Sequence, residues 1–320
     1  MLVTRTPAEL PRPAHGLCLP LGMFDGVHLG HQHVVRHALT HATTVAGLSV
    51  ALTFDPHPLA VVRPDRAPRL LQTVPHRLRA LRALGLDATL VIPFTRDLAN
   101  LSGEQFIREL LQNAGRIRSL SVGEGFQFGH QRSGSVDLLR TLGGALGFQV
   151  HAAPPVAVGG EVVSSSRIRQ HLRDGQLEAA GELLGRPYAL SGLVIPGDRL
   201  GRNLRFPTAN LDIAGLELPP TGVYAVRVRR LSRDTDHPAV LNLGVRPTVA
   251  CREGELRFEG LHSGLGPALY ACRVCGAPFA SGRREWPELS AGGRLRYAAV
   301  SLLYVAVGAL AGGGLGFFVG

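Results

Sequence analysis

Read for apolar and polar positions, the first half of the chain alternates between two rhythms. Leu17 to Met23 is an apolar run that ends in the turn chemistry of Phe24-Asp25-Gly26, and His31 to Val45 then carries apolar residues at helical spacing. Leu48 to Phe54 predicts a second strand, closed by Asp55-Pro56-His57-Pro58; His76 to Leu84 predicts a helix and Ala88 to Phe94 a third strand. Ser102 to Asn113 predicts a helix that opens on a capping box, Ser102 with Gln105, and Ser119 to Gly123 predicts a fourth strand. Strands alternating with helices imply an α/β domain: a parallel, Rossmann-like sheet with helices on both faces.

From Arg186 the rhythm changes. Ala189 to Ile195, Val223 to Arg230 and Pro238 to Gly244 are short β-prone runs between Gly/Pro-rich turns with no helical pattern, which predicts a small antiparallel β-barrel. The boundary is expected near Gly185-Arg186-Pro187, giving domains 1–185 and 186–259. From Gly260 the chain becomes rich in Gly, Ala, Ser and Arg, and Tyr297 to Gly320 runs for 24 residues without a charge, long enough to cross a bilayer. Arg283, Arg284, Arg294 and Arg296 would then flank it on the cytoplasmic side, although Gly312-Gly313-Gly314 weakens a helix there. Residues 260–320 are therefore read as a divergent tail with a candidate membrane segment at 297–320.

Composition narrows the partners. The chain carries a net charge of +10 and contains no lysine. Its arginines are scattered and aromatics make up only 6%, so no nucleic-acid face is predicted, while the charge suits a polyphosphate substrate. MLVTRTPAEL lacks an apolar run behind a basic start and four cysteines do not make a disulfide framework, so a cytoplasmic protein is expected. Cys272-x-x-Cys275 is half of a zinc ribbon without a second pair.

The sharpest local feature is Gly22-Met23-Phe24-Asp25-Gly26-Val27-His28-Leu29-Gly30-His31, at the end of the first predicted strand. Glycine lets backbone approach a ligand, a helix start favours anions, and His28 and His31, three apart, share one helical face. Two such imidazoles can donate to a phosphate whose charge develops in a transition state; a two-histidine metal site or a plain surface pair is the competing reading. A second anion cradle is read at Ser164-Ser165-Ser166-Arg167-Ile168-Arg169, where hydroxyls, N–H groups and an arginine gather at a helix start.

Together with Thr53-Phe54-Asp55-Pro56-His57-Pro58 and Gly123-x-x-Phe126-x-Phe128-Gly129, these motifs resemble the bifunctional bacterial riboflavin kinase/FAD synthetases. The second half is similar to the kinase module of that family: Gly197-Asp198-x-x-Gly201-Arg202, Phe206-Pro207-Thr208-Ala209-Asn210, Pro220-x-Gly222-Val223-Tyr224 and Asn242-x-Gly244-x-Arg246-Pro247-Thr248. The resemblance covers about residues 15 to 259. It implies a nucleotidylyltransferase domain that transfers AMP from ATP to FMN and a β-barrel that phosphorylates riboflavin, with Mg²⁺ serving each site. By resemblance, His28 and His31 stabilise the α-phosphate transition state. Gly22, Phe24, Asp25, Gly26, Gly30, Ser164, Ser165 and Arg169 hold ATP, and Asp55, Pro56, His57, Pro58, Phe126 and Phe128 hold the flavin. In the barrel, Gly197, Asp198, Gly201, Arg202 and Pro207 cover the ATP phosphates, Thr208 and Asn210 take the metal, and Glu259 is the general base for the riboflavin 5′-hydroxyl.

The chain departs from the pattern in places. Gly125 and Ser135 stand where the resemblance implies Asp or Asn, Arg205 replaces a glycine, and after Glu259 the pattern stops in mid-barrel. A barrel without its final strand leaves an edge unpaired and a loose catalytic glutamate, so the kinase step is expected to be weak or absent. Two other readings follow: an adenylyltransferase with an inactive barrel, or a membrane-tethered nucleotide-binding protein without turnover.

Overall fold

The strand–helix rhythm of the first half becomes one parallel sheet. After β1 (Leu2–Thr4) and β2 (Leu17–Pro20), α1 (Leu29–Thr44) leads to β3 (Leu48–Asp55). Short α2 (Pro58–Val62) and α3 (Val74–Ala83) precede β4 (Ala88–Pro93); α4 (Arg96–Asn100) and α5 (Gly103–Ala114) precede β5 (Ile117–Gly123). Then α6 (Val136–Leu146) returns to β6 (Gln149–Ala153), and β7 (Ala157–Val158) pairs with β8 (Glu161–Val162) before α7 (Ser165–Arg173) and α8 (Leu177–Leu184). The sheet order is β1-β4-β3-β2-β5-β6, every neighbouring pair parallel. This computed structural model describes residues 1–195, 209–230, 236–244, 269–271, 278–280, 303–310 and 314–319.

Both faces of the sheet are buried, as continuous apolar strands require. On one face Leu19, Leu52, Leu90 and Leu120 pack with Phe106, Ile107 and Leu110 of α5 and Leu139 and Leu142 of α6. On the other, Ala51 packs with Val35 of α1, Leu81 of α3, and Phe24 and Val27 of the turn after β2. The capping box that opens α5 is formed: Ser102 Oγ accepts from Gln105 N–H at 3.2 Å and Gln105 Oε1 accepts from Ser102 N–H at 2.8 Å. Ser135 caps α6 in the same manner, accepting from Leu138 N–H at 3.2 Å, so serine does here what Asp or Asn does equally well.

Strand order reverses direction at β2: the chain steps from β2 outward through β3 and β4, then returns to β2's other side with β5. In such sheets ligands bind beyond the carboxyl ends of the strands at the reversal. Three of the four motifs of the first half follow the carboxyl ends of β2, β3 and β5, neighbours in that sheet.

In the second half, β9 (Ala189–Ile195) pairs antiparallel with β10 (Asn210–Leu211), and β11 (Gly222–Arg230) pairs antiparallel with β12 (Asp236–Leu243). Leu269–Ala271 (β13) pairs with Pro278–Ala280 (β14). The charge-free tail supplies β15 (Leu303–Leu310) and β16 (Gly314–Val319), which join the larger sheet in the order β10-β9-β15-β16-β11-β12. The candidate membrane segment at 297–320 falls partly on these two strands and partly outside the described residues; among the described residues no helix is long and apolar enough to cross a membrane. Strand β16 of the tail pairs antiparallel with both β9 and β11.

The described chain divides into two compact units, one of residues 1–170, 182–186 and 215–217, the other of 171–181, 187–214 and 218–320.

Candidate active site

The segment after β2 is a wound turn held from several sides. Phe24, Gly26 and Val27 have φ of 52°, 85° and 41°, a left-handed conformation that a β-branched residue adopts only when its surroundings enforce it. The enforcing groups are side chains. Thr53 Oγ1 and Arg77 Nη1 donate to Met23 O at 2.9 and 2.6 Å, Arg186 donates to Gly26 O at 2.5 Å and to Val27 O at 3.0 Å, and Gln32 also donates to Val27 O at 3.0 Å. Gly26 has no room for a side chain, since a Cβ would sit 2.7 Å from Leu71 Cδ1.

His28 is the N-cap of α1: its Nδ1 accepts from His31 N–H at 3.3 Å, which leaves Nε2 as the N–H of the neutral ring. The His28 and His31 rings stack 3.6 Å apart at 17°, and Phe24 stands edge-on against His31 at 5.4 Å. A Cβ on Gly30 would come within 3.2 Å of the His28 ring, so glycine at 30 keeps the stacked pair in place. His31 Nδ1 is buried and has no hydrogen-bond partner among the described residues. Loss of water and the charges of Arg186 and Arg169 push the His28 pKa down to about 4, and burial beside His28, Arg77 and Arg186 lowers that of His31. Both are neutral N–H donors at neutral pH, inside a ring of three arginines.

The second anion cradle reaches the same turn. Ser165, at the start of α7, donates from Oγ to Asp25 O at 3.0 Å, and Ser164 Oγ caps the helix by accepting from Arg167 N–H at 3.2 Å. Asp25 and Arg169 face each other inside the fold. Arg169 Nη2 donates to Asp25 Oδ2 at 2.5 Å and its Nε donates to Arg69 O at 2.6 Å; Leu71 N–H and Gln72 N–H donate to the same carboxylate at 3.0 and 3.2 Å. Burial raises the Asp25 carboxyl, while the arginine and two amides that converge on it act in the opposite direction. Phe24 is also turned inward, only 1% exposed. Phe24, Asp25 and Arg169 thus join the two cradles, while Gly30 stays close to the His28 ring.

At the carboxyl end of β3, Asp55 pairs with Arg5 at 3.5 Å, and His57 caps α2 by accepting from Leu59 N–H at 3.1 Å, with Pro56 and Pro58 on either side. Loss of water, helped by Arg169 and Arg77, pushes His57 down to about 4. Beyond β5, Phe126 and Phe128 stack at 5.4 Å and 19°, and the chain of rings continues through Phe106 to Phe54. Gly134 is required beside them: a Cβ would lie 2.6 Å from Phe128. Half-buried stacked phenylalanines make an apolar platform for a planar ring.

Two groups at the turn escape a motif search. Arg77, 2% exposed on α3, and Arg186, beyond α8, hold the turn's carbonyls from about 50 and 160 residues away, and nothing local in the sequence marks either. In the second unit, Asn210 is buried in β10 opposite Ile195, and Tyr224 donates to Pro220 O at 2.5 Å. Gly197, Asp198, Gly201, Arg202, Arg205, Pro207, Thr208, Glu259, Cys272 and Cys275 lie outside the described residues.

The buried histidines give the first unit a defined pH response. His28, His31 and His76 all have lower pKa values folded than unfolded, so from about pH 6.5 downward the unfolded chain takes up protons that the folded chain does not, and stability falls with pH. With the His28 pKa at about 4, that residue alone removes about 3 kcal/mol by the time pH reaches its folded pKa. Urea midpoints are expected to drop between pH 7.5 and 5, with a shallower drop in His28→Gln; a midpoint that holds or rises would contradict the burial of these rings.

The chain is similar to known proteins over most of its length. The FAD synthetase family pattern matches residues 11–167 and the riboflavin kinase pattern matches residues 184–262. The bifunctional riboflavin kinase/FMN adenylyltransferase of Escherichia coli K12 is 40% identical over 239 residues, 74% of this chain and 76% of that protein. The Pseudomonas fluorescens protein of the same name is 37% identical over 252 residues, 78% of this chain and 79% of its own. Among solved structures, that of a macrolide-efflux protein from Streptococcus pneumoniae superposes with a TM-score of 0.68 at 26% identity, covering 83% of this chain and 86% of that one. Motif order in both halves, the site at the β2 reversal and identity over three quarters of the length lead to one assignment: the chain belongs to the bifunctional riboflavin kinase/FMN adenylyltransferase family.

Proposed function

We propose that the chain makes FAD in two ATP-dependent steps, phosphorylating riboflavin to FMN in its C-terminal half and adenylylating FMN to FAD in its N-terminal half. In the second step a phosphate oxygen of FMN attacks the α-phosphorus of ATP, the bond to the β,γ-phosphates breaks, and pyrophosphate leaves. His28 and His31 stabilise charge on the α-phosphate through their ring N–H groups, and the backbone of Gly22, Gly26 and Gly30 with the helix starts at His28 and Ser164-Ser165 receives the phosphate oxygens. Asp25 and Arg169 act as positioning residues, the buried strut that fixes one helix start against the other. Asp55, Pro56, His57, Pro58, Phe126 and Phe128 line the flavin side. The observation that carries this reading is the convergence of two helix starts on one stacked histidine pair.

Mg²⁺ is the expected ion at both steps, neutralising ATP phosphate charge. At the adenylylating site Asp25 is committed to Arg169 and two amides, so the side chains there suit an ion held by substrate phosphates rather than by protein carboxylates. In the kinase half, the hydroxyl of Thr208 and the amide oxygen of Asn210 are hard donors of the right kind, with Gly197, Asp198, Gly201, Arg202 and Pro207 over the phosphates and Glu259 as base. We propose for this half an antiparallel β-barrel over 186–259 that is completed by strands of the tail, and an N-terminal domain that ends near residue 185. Dependence on ATP places the work in the cytoplasm.

The test is incubation of the chain with ATP, Mg²⁺ and either riboflavin or FMN, followed by separation of flavins. FMN and FAD should accumulate from riboflavin and FAD from FMN; no adenylylation of FMN would overturn the reading. Because Arg186 holds Gly26 O and Val27 O, a fragment of residues 1–187 is expected to make FAD faster than one of 1–185, and equal rates would remove Arg186 from the account.

A further inference from the structure

The function above leaves unused a cluster of histidines on the outer side of α1. His33, His37 and His41 follow one another at intervals of four, which places them on one helical face, and His151 of β6 faces them across a cavity of about 420 Å³. The Nε2 atoms of His33 and His37 are 3.3 Å apart. Two zinc–imidazole bonds of about 2.0–2.1 Å at a tetrahedral angle set their nitrogens about 3.3 Å apart, so an ion can replace the shared proton with little movement of either ring. The cavity's other histidines suit the same chemistry. His41 Nδ1 lies 2.8 Å from Ser119 Oγ and 3.4 Å from Cys18 Sγ, contacts of the kind that orient a liganding imidazole, while His151 Nε2 is buried with no hydrogen-bond partner among the described residues. The His41 and His151 rings are 4.7 Å apart. Arg36 also lines the cavity, but it is exposed and donates to Gln32 Oε1, so its charge can turn to water.

We propose that His33 and His37 form a binding site for a borderline divalent transition-metal ion, Zn²⁺, Ni²⁺ or Cu²⁺, bordered by His41 and His151 and separate from the histidine pair of the adenylylating site. Among the described residues no three such side chains already converge as a finished site, so the pair is the preformed part and water fills the remaining positions. All-imidazole donors select these ions over Mg²⁺, which distinguishes the site from any that serves ATP.

The untagged full chain would be titrated with Zn²⁺ and with Ni²⁺ in competition with a chromophoric chelator at pH 7.5, with thermal melts alongside. One saturable site is expected, with a melting temperature that rises with metal concentration. His33→Gln and His37→Gln should each weaken binding by at least about tenfold, since losing a direct ligand costs no less than losing an outer-shell partner. FAD formation in Mg²⁺ should be unchanged in both, because neither residue touches the ATP site. Ring resonances of His33 and His37 in the unaltered chain should shift on metal addition, a readout independent of how the variants fold. Absence of saturable binding, affinity undiminished in the double variant, or shifts confined to other histidines would overturn the proposal.

Discussion

Replacing His28 or His31 by alanine is expected to slow FAD formation from FMN by on the order of 10²-fold or more, the usual scale for a preorganised donor aimed at developing charge. His28 Nδ1 is occupied by His31 N–H, so its outward nitrogen is the donor, and His31 Nδ1 is buried without a partner. Because the rings stack at 3.6 Å, losing either also frees the other, and the double variant should lose much less than the product of the single losses. Riboflavin phosphorylation should be unaffected, which separates a catalytic role from a folding defect. FAD formation at the unaltered rate in both single variants would end the assignment of this pair.

The second large effect is expected in the tail. Ending the chain at residue 296 removes β15 and β16, which stand in the middle of the second sheet, and leaves β10-β9 and β11-β12 as two separate ribbons. A two-stranded ribbon is marginal in water, so FMN formation from riboflavin should fall below detection while FAD formation from supplied FMN persists. Unchanged FMN formation by the shortened chain would show that the kinase half does not depend on these strands.

The tail shows the limit of a local reading, for a physical reason. Twenty-four residues without a charge satisfy the length rule for a membrane helix, but length says nothing about whether backbone groups pair within a helix or across strands. Alternation of Val305 and Val307 with Ala306 and Gly308 favours the latter, and the register of Val305 with Val319 and of Leu190 with Val319 is long-range information no local window contains. The family pattern itself stops at residue 262, so motif order could not reach these strands.

The first half was more legible, since glycine turns, caps and apolar runs are local. The capping box at Ser102 and Gln105 and the His28–His31 helix start form as spacing predicted, and Ser135 explains itself once it is seen capping α6. Direction of side chains was less legible. Resemblance places Asp25 and Arg169 at ATP; that they also meet each other in the core, about 140 residues apart in sequence, is not legible locally. Arg77 and Arg186 carry no motif at all, and only the fold places them on the turn's carbonyls.

The most direct measurement of the central claim follows the transferred group. The chain would be given FMN, Mg²⁺ and ATP labelled at the α-phosphate, and products separated by chromatography with the His28→Ala variant in parallel. The account predicts label in FAD with an equal amount of pyrophosphate, and label left in ATP by the variant on the same timescale. Label released as free AMP, or transferred to FAD equally by the variant, would contradict it.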